Sequence, residues 1–294
     1  MPDSTAHSAP LLEEAPPLDK APEIAAAPGV FPVALALAYD GSPFQGWQIQ
    51  PHGPTVQGRL EEALAVVCRR PVRVTGSGRT DTGVHALNQI AHAHLPVPLD
   101  LWRLRQQLNG LAGPHIVVRQ IVPVDIAFHA RHSARGKIYR YLIQNRPYPS
   151  AFARQRNWWL RAPLDVSAMG AAAAHLLGEH DFSAFRAKDC EALSPVRRMW
   201  RIDLAQGEQE DSTLRIELEA TGFLQHMARI IVGTLVAVGQ GRATPDEVAG
   251  ILAARQRERA YATAPAQGLH MVNVRYDLAQ FPELQALGVM APLA

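Results

Sequence analysis

Only two cysteines, Cys68 and Cys190, occur in 294 residues, and neither stands in a CxxC pair. That excludes a disulfide framework and argues against a zinc or redox site built on thiols. Long apolar runs are missing too: nothing approaches the roughly 20 residues that a membrane-spanning helix needs. The amino-terminal MPDSTAHSAPLLEEAPP has acids where a secretory signal has basic residues, and it contains no continuous apolar segment. A cytoplasmic protein with no membrane contact is the expectation. Lysine is almost absent. Of 29 basic residues only Lys20, Lys137 and Lys188 are lysine, which leaves 26 arginines. Guanidinium groups bind phosphate bidentately and stack on bases, so this balance favours a nucleic-acid partner, although a bias toward arginine codons would produce the same count.

A hydrophobic fraction of 47% with 19% charged residues belongs to a folded chain, not to a fibrous or disordered one. The formal charge of +2 conceals an asymmetry, because residues 1–30 hold five acids against Lys20, leaving 28 basic and 22 acidic groups in the remainder. That first stretch is rich in Pro and Ala without helical or strand periodicity and reads as a disordered leader.

Folding is expected to begin near Phe31. In VALALAYDG, Val33, Leu35, Leu37 and Tyr39 alternate with alanines, a strand able to bury both faces. Val56, Leu60, Leu64 and Val67 then recur on one helical face behind Thr55 as N-cap. PVRVTGSG and NQIAHAHL read as strands, Asp100 caps a helix, and HIVVRQIVPV is a further strand. KIYRYLIQN opens a second unit, with Tyr139, Tyr141 and Ile143 on one face. Asp165 caps a helix carrying Val166, Met169, Ala173 and Leu177. VRRMWRIDLAQ and STLRIELEA form an antiparallel hairpin across GEQED. GFLQHMARIIVGTLVAVG is a helix from Phe223 to Val238, TPDE at Thr244 is a capping box, and HMVNVRY is the last strand. The class is α+β: two subdomains of mainly antiparallel sheet covered by helices, divided as 31–126 and 127–282 after the leader 1–30, with a tail at 283–294. No sequence repeat between the units is evident.

The stretch GSGRTDTGVHA, from Gly76 to Ala86, sets Arg79 and Asp81 among three glycines that permit positive φ and close approach by a ligand. Its spacing matches neither a dinucleotide fingerprint nor a P-loop. His92 and His94 share a strand face with His85 just upstream, so a metal-dependent hydrolase is one alternative. A non-catalytic RNA-binding or RNA-folding protein is another, since a basic cleft and a tyrosine platform suffice for it.

Five blocks, YDGSPFQGWQ, GRTDTGVHALNQIAH, FHARHSARGKIYRYLI, DFSAFRA and QHMARIIVG, occur in the order of the tRNA pseudouridine synthase A family. From about Phe31 to Tyr276 the chain resembles that family. The resemblance implies a pseudouridine synthase fold with the RNA-binding catalytic cleft between the subdomains. It also implies an isomerase that detaches uracil from its ribose and rejoins it through carbon 5, at uridines 38, 39 and 40 of the tRNA anticodon stem-loop. By the same resemblance Asp81 is the catalytic carboxylate, Arg229 its ion-pair partner, Tyr139 the residue that stacks on the target base, and Arg79 the arginine that holds the nucleotide out. A homodimer is implied, and no cofactor or metal. Where relatives often read His-His-Met, this chain has Gln225-His226-Met227. These roles are chemically coherent. Extruding a stacked base costs a few kcal/mol, and an aromatic platform returns about 1–3 kcal/mol per base. Burial favours the neutral carboxyl, which a paired guanidinium opposes.

Overall fold

The structure is a computed structural model that describes residues 29–207 and 213–293. The expected leader lies outside the described residues save for its last two positions, and so does most of the GEQED turn. Secondary structure begins with β1 (Phe31–Tyr39), α1 (Val56–Cys68), β2 (Val74–Gly76), β3 (His85–Leu95), α2 (Leu101–Ala112) and β4 (Ile116–Pro123). Then come β5 (Ala134–Asn145), the short β6 (Trp158–Leu160), α3 (Val166–Ala174), β7 (Gly178–Asp181), β8 (Val196–Gln206) and β9 (Thr213–Ala220). Helices α4 (Met227–Gly239) and α5 (Pro245–Ala254) and strand β10 (Leu269–Tyr276) complete the core.

Four N-caps act as their residue types dictate. Thr55 accepts from the Gly58 N–H, Asp100 from Trp102 and Arg103, and Asp165 from Ala168. Thr244 and Glu247 close the reciprocal capping box with Pro245 at the first helical position. Two expected helices are shorter than their apolar periodicity suggests. Helix α3 stops at Ala174, and Leu177 is exposed just before Gly178 at φ +98°. Helix α4 starts at Met227, because His226 sits in the left-handed region at φ 61° and turns the chain. Phe223 therefore belongs to the approach, where its ring meets that of Tyr139 edge-on with centroids 4.9 Å apart.

All ten strands join one sheet in the order β4-β1-β3-β10-β5-β9-β8-β7, with β2 beside β3 and β6 beside β5. Pairing is antiparallel except for β3–β10 and β5–β6. The order reveals a duplication that the sequence hides. With β6, β7 and α5 set aside as additions to the second, each half runs strand–helix–strand–strand–helix–strand, with its last strand next to its first and its second next to its third: β4-β1-β3-β2, then β10-β5-β9-β8. Two copies of one topology meet at β3 and β10. Helices α1 and α2 pack together over the first half, and α3 packs on α4 and α5 in the second.

The junction has a structural cause. Strand β2 pairs with β3 only at Ala91–Ala93, whereas β10 takes the same edge at His85 and Ala86. Where β2 gives way to β10, the chain leaves the sheet as the loop from Ser77 to Val84. Gln89, buried on β3, ties that loop down by donating to the Gly78 carbonyl at 2.8 Å and by its 2.5 Å contact with the Ser77 hydroxyl.

Candidate active site

The glycines of the loop serve different ends. Only Gly83 has positive φ, at +78°. Gly76 instead leaves room for the Trp47 indole, since a Cβ there would lie 2.6 Å from the ring. Trp47 also receives the loop, its N–H donating to the Thr80 carbonyl at 3.0 Å. Thr80 and the Tyr39 hydroxyl lie 2.9 Å apart. Burial pushes the Tyr39 phenol up to about 12, so it stays a neutral hydrogen-bonding group. Asp81 is thus presented on main chain fixed at both sides.

Across the junction, the Arg229 guanidinium donates to Asp81 Oδ2 at 2.9 Å. Every residue of α4 except Arg229 is buried. A lone arginine in a helix otherwise apolar all round must find partners, and it finds two. Besides Asp81, it donates from Nε to the Ala264 carbonyl at 2.8 Å, while the Ala264 N–H donates to the Arg229 carbonyl at 3.1 Å. The segment bearing Ala264 crosses α4 at Gly233, where a Cβ would meet the Ala262 carbonyl oxygen at 1.9 Å. That close crossing fixes the guanidinium's direction. His226 is a further member of the site, with Nε2 3.5 Å from Asp81 Oδ2. It is the second residue of Gln225-His226-Met227, and its place three before Arg229 was the signal that could have found it. A left-handed backbone at a non-glycine residue is strain of the kind found at functional sites.

Tyr139 is buried and lines the same cleft as Asp81, a space of about 580 Å³. Burial, the neighbouring Tyr39 and the Asp81 charge together push its phenol far above the ordinary tyrosine range, so the hydroxyl keeps its proton at physiological pH. Arg79 stands at the rim, more than half exposed and 3.4 Å from Glu191. An ion pair that open contributes little, which leaves Arg79 free to exchange partners. The cleft therefore brings together all four residues singled out from sequence: Asp81 and Arg79 from the first half-sheet, Tyr139 and the nearby Arg229 from the second.

The histidines do otherwise. His85 is committed to backbone at both ring nitrogens, accepting from the Gly41 N–H at 3.1 Å and lying 2.9 Å from the Gln155 carbonyl. His92 Nδ1 accepts from the Ala130 N–H at 3.2 Å, and burial with neighbouring histidines pulls this group down to about 4. Among the described residues, no three His, Cys, Asp or Glu side chains are grouped to hold a metal ion. The hydrolase alternative has no site here. Nor, among the described residues, is any helix long and apolar enough to cross a membrane.

Arg79, Arg131, Lys137 and Arg197 line the cleft together with Asp81, Asp189 and Glu191, and guanidinium donors around a carboxylate held by Arg229 suit the class of enzymes that modify nucleic acid. Comparison narrows the class. The model of a family described as tRNA pseudouridine synthase matches residues 35–133 and 172–277. The tRNA pseudouridine synthase A of Methylibium petroleiphilum is 46% identical over 245 residues, 83% of this chain and 93% of its own. That of Syntrophotalea carbinolica is 44% identical over 244 residues, 83% and 96% of the two chains. A chain of a Cbf5–Nop10–Gar1 complex aligns remotely over 81% of this chain and 57% of its own, at 11% identity and a TM-score of 0.31. The chain belongs to the tRNA pseudouridine synthase family.

Proposed function

We propose that the protein isomerises uridines 38, 39 and 40 of the tRNA anticodon stem-loop to pseudouridine, in the cleft where the half-sheets meet. The observation that carries this reading is the Asp81–Arg229 pair at 2.9 Å, which joins residues 148 apart in the chain. In the reaction the N1–C1′ bond breaks, a C5–C1′ bond forms, the C5 proton leaves and N1 gains one, so the sum is redox-neutral and the net atoms are unchanged. Asp81 is the carboxylate that acts on the extruded nucleoside. Arg229 aims it, being itself fixed by Ala264. Tyr139 offers its ring to the uracil, and a stacking face tolerates the base's rotation because it imposes no fixed hydrogen-bond pattern. Arg79, exposed at the rim, reaches into the stem and fills the place of the flipped nucleotide.

A protein that only bound or refolded RNA would have no use for a carboxylate locked to a half-buried arginine in a cleft lined by cations. We further propose that the enzyme works in the cytoplasm as a homodimer, a form to be tested by light scattering. The decisive assay follows tritium release from tRNA labelled at uridine carbon 5, since only cleavage of that carbon–hydrogen bond liberates it. Release from an anticodon stem-loop carrying uridines at 38–40 is expected. An absence of release with correctly folded protein and undermodified tRNA would end this reading.

A further inference from the structure

Four cations line the cleft, and three of them have no carboxylate in contact. Arg79 has Glu191, and Asp81 is met by Arg229. Among the described residues no carboxylate oxygen lies within 4.0 Å of a side-chain nitrogen of Arg131, Lys137 or Arg197, although all three line the same space. They come from different places: Arg131 precedes β5, Lys137 lies on β5 two residues before Tyr139 and so on the same face, and Arg197 is on β8.

Lys137 and Arg197 are held in place, while Arg131 is exposed at the edge of the space. Lys137 is half-buried, and its Nζ lies over Gly78, 2.8 Å from where a Cβ would stand. Glycine at 78 leaves the ammonium room in this position. Arg197 is held by donating to the carbonyls of Ser194 at 2.9 Å and Val196 at 2.6 Å. The charges of Arg131 and Arg197 are near enough to add to burial in pulling Lys137 down to about 8. Three like charges converging on a partly dehydrated spot repel one another, and an anion is what offsets them. Uracil is neutral and has Tyr139 as its platform. A backbone phosphodiester carries one permanent negative charge on two non-bridging oxygens, which matches a point-charge ammonium flanked by guanidinium donors.

We propose that Lys137, Arg131 and Arg197 form a seat for one backbone phosphate next to the target uridine, with the half-buried Lys137 as its anchor. The seat rests on the reading of this cleft as the tRNA site. By holding that phosphate two strand positions from Tyr139, it fixes how far the extruded nucleoside enters. Lys137 is a binding and positioning residue in this scheme.

The test uses the full-length protein and synthetic anticodon stem-loops in which the linkage 5′ or 3′ to the target uridine is an uncharged methylphosphonate. At one of the two linkages, neutralising the phosphate should lower wild-type kcat/KM by about 10–100-fold, the scale of one charge-assisted contact. Lys137→Met should show a similar loss on the unmodified RNA and no added loss at that linkage, while Lys137→Arg recovers much of the activity and the linkage sensitivity. A methylphosphonate penalty that persists in full in K137M, or K137M activity equal to wild type, would overturn the seat. Should K137M not fold, wild-type enzyme indifferent to both substitutions overturns it equally. Failure of the wild type to act on the unmodified stem-loop is a separate outcome, and it would strike the proposed function instead.

Discussion

Asp81 and Lys137 occupy one cleft under opposite electrostatic conditions. The carboxylate has a guanidinium at 2.9 Å, while the ammonium has two guanidinium neighbours and no acid in contact among the described residues. Asp81→Asn preserves volume and a hydrogen bond to Arg229 but removes the charge. It should leave tRNA affinity within about threefold, since phosphate contacts dominate binding, and abolish tritium release. Wild-type-like turnover in that variant would remove Asp81 from the chemistry. Lys137 makes a prediction about stability. Its pKa is lowered on folding, so between about 8 and the unfolded value of 10.5 the native state holds fewer protons and stability rises with pH. Below about 8 the charged ammonium is a cost to the fold. Lys137→Met should therefore raise Tm by about 2–4 °C at pH 7, and the advantage should shrink as pH climbs toward 10. Calorimetry at several pH values checks this, and a lower Tm at pH 7 would make the lysine a stabilising group.

Helix α4 shows how an element can serve both packing and site geometry. Its sequence is apolar on every side because neighbours cover it on every side, and the strap through Ala262 and Ala264 passes so close that only glycine fits at 233. Gly233→Ala would usually favour a helix, yet here the added methyl must push the strap away. The expected cost is about 1–3 kcal/mol as overpacking, seen as a lower urea midpoint. Activity should fall further than stability explains, because displacing Ala264 frees the Arg229 Nε. Helix starts were legible wherever a side chain bonds its own next turn, as at Thr55, Asp100, Asp165 and Thr244. The start of α4 was not legible, since Phe223 continues the apolar phase, and the left-handed turn at His226 that breaks it depends on contacts with the opposite half.

At the scale of the whole molecule, β10 is the decisive strand. It is last in its own half, yet it pairs with β3 of the other, so neither half has a closed edge without it. Urea unfolding followed by tryptophan fluorescence and far-ultraviolet circular dichroism should give one coincident transition, despite the duplicated topology. Two separated transitions would mean that the halves unfold independently. The duplication escaped a reading of residues because strand order is set by backbone pairing, which many side-chain sequences satisfy; identity between the halves has no need to survive for the topology to do so. The sequence alone determined the α+β class, the order of the helices and of every strand except the short β6 and β7, the capped helix starts and the shortage of lysine, since these depend on neighbours within a few residues. Only the tertiary structure decided that Arg229 meets Asp81, that His226 stands beside them, that Gly76 and Gly78 make room for Trp47 and Lys137, and that His85 and His92 are spent on backbone. Those contacts join residues far apart in the chain, and closing such loops is worth its entropy only when the complete sheet forms.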